Sequence, residues 1–239
     1  MNFSIALVTG ASSGIGKEIA RQLVQRGLTV YVGSRSGARA EEAAAEIGGG
    51  ARPLLLDVTD AESVAAAAER IDALDALDIL VNNAGISSNE PRLAQDEDVA
   101  DFRRIYGTNV FGPVAVTNAL LPALRRSANP RIVNISSGTA SLAWAADQMA
   151  AYRGAFASYR SSKAALNALT VMYAQSLAED GIKVNALAPG LRRTALNAAA
   201  AAGGGDPGEA AEAAVRLALL PDDGPSGTFV NWDGTPVPW

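Results

Sequence analysis

Short apolar runs alternate along the chain with longer segments in which apolar positions recur every three to four residues. The short runs predict strands at residues 5–8, 28–33, 52–56, 76–81, 131–135, 182–187 and 227–230. The longer segments predict helices at residues 17–26, 37–47, 60–73, 96–126, around Tyr159, and from 206 or 207 to 220. Strands that alternate with helices form parallel sheets covered by helices on both faces. The pattern therefore predicts an α/β fold, a single-domain doubly wound (Rossmann-type) parallel sheet of about seven strands.

Three segments leave the local structure open. Helix 96–126 either breaks near Gly112 and Pro113 or continues through the proline. Residues 195–205 are mostly alanine and glycine, and they form either a weak helix or a mobile flap. Three residues could cap the helix at 60–73, namely Asp57, Thr59 and Asp60. No change in composition marks a boundary, so residues 1–239 are expected to form one domain.

The composition excludes several kinds of chemistry. The chain has no histidine and no cysteine, so acid–base catalysis must use Tyr, Lys, Asp or Glu, and disulfides and thiolate metal sites are excluded. The formal net charge is −5 without a basic block, which argues against nucleic acid or an anionic membrane as a partner. The N-terminus has no leader pattern, and no apolar run is long enough to cross a bilayer. We expect a soluble, cytoplasmic protein without a metal site.

A glycine-rich segment follows the first predicted strand directly. Residues 9–16 read Thr-Gly-Ala-Ser-Ser-Gly-Ile-Gly and lead into a predicted helix. This order is typical of a dinucleotide-binding loop, because the glycines let the backbone approach the pyrophosphate and the helix start favours its charge. A plain strand-to-helix turn is the alternative. The residues that would contact the cofactor here are Gly10, Ser12, Ser13, Gly14, Ile15 and Gly16.

The second predicted strand ends at an arginine and not at an acidic residue. In an NAD site, a carboxylate about 20 residues after the glycine-rich loop hydrogen-bonds the ribose 2′-OH. This chain has Ser34, Arg35 and Ser36 there, and a guanidinium suits a phosphate. The sequence therefore predicts NADP(H) in preference to NAD(H), with Lys17 as a second cation. The alternative is that Arg35 is an exposed loop residue.

Polar residues and glycines also follow the later strands. They are Asp57 and Val58 after the third strand, Asn82, Asn83, Ala84 and Gly85 after the fourth, and the hydroxyls of Ser136, Ser137 and Thr139 after the fifth. Ligands of open α/β sheets bind at the carboxyl ends of the strands. The pattern favours a ligand site at this edge, although residues 82–85 could also be a plain turn.

Tyr159 and Lys163 are the strongest candidates for acid–base chemistry. They lie four residues apart in a predicted helix, which places both side chains on one face. A phenol normally titrates near pH ~10. A fixed cation beside it is expected to lower that pKa and so make the tyrosine a usable acid or base. The alternative is an ordinary pair on the wet face of a helix.

Taken together, these segments resemble the short-chain dehydrogenase/reductase family over essentially the whole chain. The matching positions are Thr9-Gly10-x-x-x-Gly14-x-Gly16, Asp57-Val58, Asn82-Asn83-Ala84-Gly85, Asn109, Ser137, Tyr159-x-x-x-Lys163 and Pro189-Gly190-x-x-x-Thr194. The match lies in the order and spacing of several motifs, since no single one is specific.

The resemblance implies a catalytic tetrad of Asn109, Ser137, Tyr159 and Lys163. Tyr159 would exchange a proton with the carbonyl oxygen, and Lys163 would lower the pKa of Tyr159 and hold the nicotinamide ribose. Ser137, which matches the family's serine better than Ser136, would hydrogen-bond the substrate oxygen. Asn109 would hold a water that links Lys163 to solvent. Further cofactor contacts are implied at Asp57, Val58, Asn83, Ala84, Gly85, Tyr159, Lys163, Pro189, Gly190 and Thr194.

Two features depart from the family pattern. Ser137 and Tyr159 lie 22 positions apart (159 − 137), a longer spacing than is usual, and residues 141–157 form an insertion where substrate would enter. The insertion contains Trp144, Met149, Tyr152 and Phe156. It resembles longer insertions of the carbonyl-reductase branch, some members of which are monomers. The stretch after Thr194 is short where relatives often carry a lid, which suggests an open pocket with loose specificity.

The sequence thus predicts an NADP(H)-dependent oxidoreductase that transfers a hydride between nicotinamide and an apolar aldehyde or ketone, or the matching alcohol. The aromatic insertion motivates the apolar substrate. By the family default the protein would be a homodimer or homotetramer, or a monomer if the insertion covers the association helix. One alternative is a non-catalytic NADP(H) sensor. Another is the same chemistry turned to an imine, epimerase or dehydratase substrate.

Overall fold

Seven parallel strands form one sheet in the order β3-β2-β1-β4-β5-β6-β7. The computed structural model describes residues 4–88 and 90–239, without the side chains of 198 and 199. The strands are β1 Ile5–Val8, β2 Thr29–Ser34, β3 Ala51–Leu55, β4 Ile79–Asn82, β5 Arg131–Ile135, β6 Lys183–Ala188 and β7 Phe229–Asn231. The order reverses between β1 and β4, so the sheet has the switch point of a Rossmann-type fold. The predicted fold class is confirmed.

Helices connect the strands and cover both faces of the sheet. They are α1 Gly14–Gln25, α2 Gly37–Ile47, α3 Ala61–Asp72, α4 Val99–Tyr106, α5 Gly112–Arg125, α6 Leu142–Asp147, α7 Ala157–Ser176, α8 Ala198–Gly203 and α9 Pro207–Ala218. Short 3₁₀ turns lie at Ala94–Asp96, Gly138–Ala140 and Ala150–Tyr152. Among residues 4–88 and 90–239, no helix combines the length and the apolar character that crossing a bilayer requires. Residues 1–3, which belong to the segment inspected for a leader pattern, lie outside the described residues.

Two apolar cores flank the sheet, because successive strand residues point to opposite faces. In β1, Ala6 and Val8 pack with residues of α1, α2 and α9. Leu7, between them, packs on the other face with residues of α3, α5 and the end of α7. The catalytic candidates on α7 therefore belong to a helix that is fastened to the sheet by its own apolar side chains.

The segment predicted as one helix at 96–126 neither stops at Pro113 nor continues as a regular α-helix. A π-helical turn, Gly107–Phe111, joins α4 to α5. Pro113 lies at the start of α5, where its missing N–H costs little. The π turn contains Asn109, which is fully buried. Turns of this kind often occur at functional sites.

Two other open points are resolved by side-chain caps. Asp60 caps α3 by accepting from the backbone N–H of Glu62, at 3.0 Å. In residues 195–205, Asn197 Oδ1 accepts from the backbone N–H of Ala200 and begins the short helix α8. Residues 198–203 of that segment therefore form a helix.

Candidate active site

A cleft of about 370 Å³ opens at the carboxyl ends of the strands, across the switch point between β1 and β4. The predicted site residues that line it are Gly10, Ser12, Ser13, Gly14, Ile15, Gly16, Arg35, Asp57, Val58, Asn83, Ala84, Gly85, Tyr159, Lys163, Pro189 and Thr194. Three predicted residues, Asn109, Ser137 and Gly190, lie outside this lining. The structure thus brings most of the motifs to one cavity.

The glycine-rich loop packs so closely on the turn after β4 that side chains are excluded from it. A Cβ atom at Gly16 would lie 2.3 Å from Asn83 Nδ2, and one at Gly10 would lie 2.8 Å from Ala84 Cα. Helix α1 begins at Gly14, three residues before the predicted start, because the glycines themselves form its first turn. Ser13 precedes that turn without a side-chain capping bond, so the first N–H groups face the cleft.

Asn83 holds the loop in place through its amide. Its Nδ2 donates to the carbonyl oxygens of Thr9 and Gly10, at 2.9 and 3.1 Å. The Thr9 hydroxyl accepts from the backbone N–H groups of Asn83 and Ala84, at 3.0 Å each. Asn82 has a different role, since its Nδ2 donates to Thr117 and Asn134 inside the protein. Residues 82–85 are therefore a clamp on the glycine-rich loop and more than a plain turn.

Two arginines line the end of the cleft beside β2. Arg35 follows the strand, and Arg39 lies in the first turn of α2. Sequence reasoning named Lys17 as the second cation, but Lys17 pairs with Glu46 and is absent from the lining. The sequence prediction did not include Arg39, although an arginine four residues after Arg35, at the start of a predicted helix, could have indicated it. A cleft end with two guanidinium groups suits a dianionic group.

Asp57 lies opposite Arg35 as an ionised acceptor. Its Oδ1 accepts from the backbone N–H and the hydroxyl of Thr59, at 2.9 and 2.7 Å. These bonds, aided by the charge of Arg35, hold the pKa of Asp57 below its ordinary value. The carboxylate is therefore charged at neutral pH and its remaining lone pairs can accept from a ligand.

The two serine hydroxyls after β5 lie in different surroundings. Ser136 lines the cleft, but its hydroxyl is buried and donates to Asn167 Oδ1, at 2.6 Å. The hydroxyl of Ser137 is half-buried, and its effect is to lower the pKa of the Tyr159 phenol. The Ser136 hydroxyl is therefore already engaged inside the protein, and the choice of Ser137 as the substrate-binding serine stays a prediction.

The pKa of Tyr159 differs from the expectation. Burial raises it above its ordinary value, and the Ser137 hydroxyl partly opposes that rise. Lys163, which was expected to lower it, donates instead to the carbonyl oxygen of Ile135, at 2.8 Å. The sequence argument counted the charge of the lysine but could not count the desolvation of both groups. Tyr159 therefore keeps its proton at neutral pH.

Asn109 is held by three hydrogen bonds to its amide. Its Oδ1 accepts from the backbone N–H of Ile86, and its Nδ2 donates to the Ile86 carbonyl and to Ser162 Oγ. Ser162 lies on α7 between Tyr159 and Lys163. A Cβ atom at Gly85 would lie 3.3 Å from Lys163 Nζ and 3.4 Å from Asn109 Oδ1, so Lys163 and Asn109 both approach this glycine. Asn109 thus joins the turn after β4 to α7.

The insertion before Tyr159 is anchored to the site without lining it. Trp144 on α6 packs on Gly138 and on the small core that contains Phe229 and Val237. The side chain of Arg160, next to Tyr159, lies over the ring of Tyr152 at 5.3 Å. None of the described residues 141–157 belongs to the cleft lining.

Among the described residues, no group of acidic side chains could hold a metal ion.

Lys163 gives a prediction for stability against pH. Burial lowers its pKa from 10.5 to about 8. Between these values the unfolded chain holds the proton and the folded chain does not, so stability rises with pH in that window. Relative to Lys163→Met, the wild-type free energy of unfolding should rise by up to about 1.4 kcal/mol per pH unit from pH ~8 to ~10. Urea denaturation at several pH values measures it. Lys183→Met controls for the loss of one charge, and parallel curves for wild type and Lys163→Met would contradict the expectation.

Comparison with known proteins places the fold and the motifs in one family. A model of the short chain dehydrogenase family matches residues 4–203. The (−)-isopiperitenone reductase of Mentha piperita is 35% identical over 95% of this chain and 96% of its own length. The structure of the NADPH-bound carbonyl reductase from chicken fatty liver matches with a TM-score of 0.86 and 30% identity, over 100% of both chains.

A second solved structure, the 3-ketoacyl-(acyl-carrier-protein) reductase of Brucella melitensis complexed with NADH, matches with a TM-score of 0.83. It is 29% identical over 95% of this chain and 96% of that one. The two structures carry different nicotinamide cofactors, so the family likeness does not decide between NADP(H) and NAD(H). The match to residues 4–203 confirms the resemblance read from the motifs: the chain belongs to the short-chain dehydrogenase family of oxidoreductases.

Proposed function

We propose that this protein is an NADP(H)-dependent oxidoreductase that reduces an apolar aldehyde or ketone, with Tyr159 as the general acid. One observation carries the proposal. The protonated phenol of Tyr159 lines the same cleft as the glycine-rich loop, beside the Ser137 hydroxyl and one helical turn from Lys163. A binding module has no need for this constellation.

We also propose that residues 1–239 form one domain and that the protein is located in the cytoplasm.

The residues present fit a dinucleotide. The glycines at positions 10 and 16 leave no room for side chains, and the start of α1 presents backbone N–H groups to the cleft. These features suit a pyrophosphate. Asp57 is a charged acceptor, and Lys163 remains an ammonium below pH ~8. The nicotinamide end of the cleft would lie against Tyr159 and Lys163, and Pro189 and Thr194 line the same cleft.

The chemistry divides between the cofactor and the chain. A bound nicotinamide supplies the hydride that adds to the carbonyl carbon. The chain supplies the proton, which passes from the Tyr159 phenol to the carbonyl oxygen as the alkoxide forms. The Ser137 hydroxyl donates to the same oxygen and stabilises its developing charge. The phenol carries its proton at neutral pH, which is the state that reduction requires, because its ordinary pKa is already ~10 and burial raises that pKa further.

We propose that Lys163 and Asn109 assist the proton transfer made by the Tyr159 phenol. The ammonium of Lys163, one turn along α7, stabilises the phenolate left after proton transfer. We propose that Asn109 holds a water beside Lys163, through which Tyr159 regains its proton. The approach of Gly85 to both Lys163 Nζ and Asn109 Oδ1 supports this path, because a Cβ atom at this position would contact both groups closely, at 3.3 and 3.4 Å.

The preference for NADP(H) rests on the two arginines. Arg35 and Arg39 line one end of the cleft, and neither position offers a carboxylate to the ribose 2′-OH. A 2′-phosphate bound there would accept hydrogen bonds from both guanidinium groups.

An apolar substrate is supported by apolar side chains of the cleft lining. Ile86, Ala195 and Leu196 line the cleft, and they are uncharged. The segment after Thr194 forms only the short helix α8, which leaves the pocket open. We therefore expect turnover of carbonyl compounds that differ widely in size.

The assembly we propose is a homodimer or homotetramer through the helices that carry Asn109 and Tyr159. Val99, Phe111 and Met172 are exposed on α4, on the π turn and on α7. A monomer is the alternative if the insertion at 141–157 covers these helices. Sedimentation velocity of the purified protein separates the two.

The test of the function is the oxidation of NADPH and NADH by the purified protein with a panel of aldehydes, ketones and diketones. Turnover with NADPH and apolar ketones is the expected result. Turnover of charged, thioester-linked substrates alone would contradict the substrate class. Binding of a nucleotide without turnover of any carbonyl would favour a sensor or the imine, epimerase and dehydratase chemistries.

A further inference from the structure

Thr139 lies against the hydroxyl of Ser137 in the turn after β5. The two side-chain oxygens, Thr139 Oγ1 and Ser137 Oγ, are 2.9 Å apart. The backbone N–H of Thr139 also donates to Ser137 Oγ, at 3.2 Å. The hydroxyl and the backbone N–H of Thr139 therefore both hydrogen-bond the Ser137 hydroxyl, which is proposed to polarise the substrate.

The hydrogen-bond inventory of a serine leaves two arrangements. A hydroxyl has one proton to donate and two lone pairs that accept. The N–H of Thr139 fills one lone pair of Ser137. If the Thr139 hydroxyl fills the second, the Ser137 proton is free for the substrate. If Ser137 donates to Thr139 instead, its proton is used and cannot reach a carbonyl oxygen.

The surroundings favour the first arrangement. Among the described residues, Ser137 is the only hydrogen-bond partner of the Thr139 hydroxyl. The Ser137 hydroxyl also lies close enough to the phenol of Tyr159 to oppose the rise in its pKa. A chain of donors from Thr139 to Ser137 and on to the reacting oxygens satisfies every group. Hydrogen bonds in such a chain polarise one another.

We propose that Thr139 is a positioning residue whose hydroxyl donates to Ser137 Oγ and so directs the Ser137 proton to the carbonyl oxygen of the substrate. The proposal rests on the proposed reductase function. No bond forms or breaks at Thr139, which acts only through Ser137.

The turn that carries Thr139 is fastened to the insertion. Arg160 Nε donates to the Thr139 carbonyl at 3.4 Å, and Trp144 packs on Gly138. These contacts hold the backbone of Thr139 independently of its hydroxyl. A substitution that keeps the shape of the side chain should therefore leave the turn in place.

The first test uses Thr139→Val, which removes the hydroxyl but keeps the branched shape and the N–H donor. It should lower kcat for ketones about threefold to tenfold, the effect of losing one hydrogen bond. The KM for NADPH should stay the same, and Thr139→Ser should restore kcat. In a Ser137→Ala background, Thr139→Val should have no further effect. A full additional loss in that background, or no loss in the wild-type background, would overturn the proposal.

A second readout does not require turnover. Tyrosine labelled with carbon-13 at Cζ reports the titration of Tyr159 by NMR, and Tyr159→Phe assigns the signal. Thr139→Val and Ser137→Ala should each raise the pKa of Tyr159, and the double variant should raise it no further than Ser137→Ala does. If no carbonyl is turned over, the reductase function fails and this titration alone decides the role of Thr139. Additive shifts, or an unchanged pKa in Thr139→Val, would refute that role.

Discussion

Tyr159→Phe should lower the turnover of ketones by roughly a hundredfold to ten-thousandfold, the range that general acid catalysis supplies. The substitution removes the one proton donor that the proposed reaction uses and keeps the ring that lines the cleft. Because Lys163 is held by the Ile135 carbonyl and not by the phenol, its position should not change. We expect the Kd for NADPH to stay within a few-fold of wild type. Steady-state kinetics and fluorescence titration with NADPH measure the two effects separately.

The matched control is Tyr173→Phe on the same helix. The Tyr173 hydroxyl donates to Asn118 Oδ1 at 2.8 Å, away from the cleft lining, so this substitution also removes one phenolic hydroxyl. Its turnover should remain close to wild type. A Tyr159→Phe enzyme that keeps a tenth or more of wild-type turnover would show that another group gives the proton. A fall in NADPH affinity as large as the fall in turnover would assign Tyr159 to cofactor binding alone.

The sheet was predictable because its signal is local. Each strand is a short apolar run, and burial on both faces by helices requires such runs in a parallel sheet. The predicted ends of β1, β5 and α2 agree with the structure, at residues 5–8, 131–135 and 37–47. Other boundaries moved by one to three residues. The largest shifts, of three residues, are at the starts of α1, β4 and α4. The shift at α1 arises because glycine is a poor helix former by propensity, whereas here the turn geometry requires it.

The site could be predicted only to the extent that sequence motifs and the order of the strands determine it. Asn109 was noticeable because an amide is a poor choice for a helix interior, and the structure places it in a π turn, bonded to Ile86 and Ser162. Lys17, predicted as the second cation, pairs with Glu46 and does not line the cleft, and that pairing depends on how α1 and α2 approach each other. Sequence spacing contains no such information.

The pKa of Tyr159 lay beyond the sequence for a related reason. A helical spacing of four residues shows that Tyr159 and Lys163 share a face, but desolvation depends on everything else around them. Burial raises the pKa of the phenol and lowers that of the ammonium. Both shifts follow from the tertiary fold. The role of Thr139 was hidden similarly, because a hydroxyl in a turn is common and only its contact with Ser137 Oγ gives it meaning.

Arg35→Asp should shift cofactor preference from NADPH toward NADH. Hydrogen bonds to a charged group contribute about 1.5–3 kcal/mol, so the loss of those from Arg35 lowers kcat/KM for NADPH about tenfold to a hundredfold. The new carboxylate would also repel a 2′-phosphate, and it could accept from the ribose 2′-OH of NADH. We expect kcat/KM for NADH to stay the same or to rise. Initial rates with both cofactors at one saturating ketone concentration measure the ratio.

Arg39 decides how that result is interpreted. If Arg35 and Arg39 grip one phosphate from two sides of the cleft end, Arg39→Ala should also lower kcat/KM for NADPH, about tenfold, with little effect on NADH. Arg26→Asp changes the net charge equally at the far end of α1, where its guanidinium donates to the Gln22 carbonyl. It should leave the NADPH-to-NADH ratio unaltered, which separates a local contact from a general charge effect. An unaltered ratio in Arg35→Asp would mean that the 2′-phosphate does not meet Arg35, and the preference for NADP(H) would then have no support in this cleft.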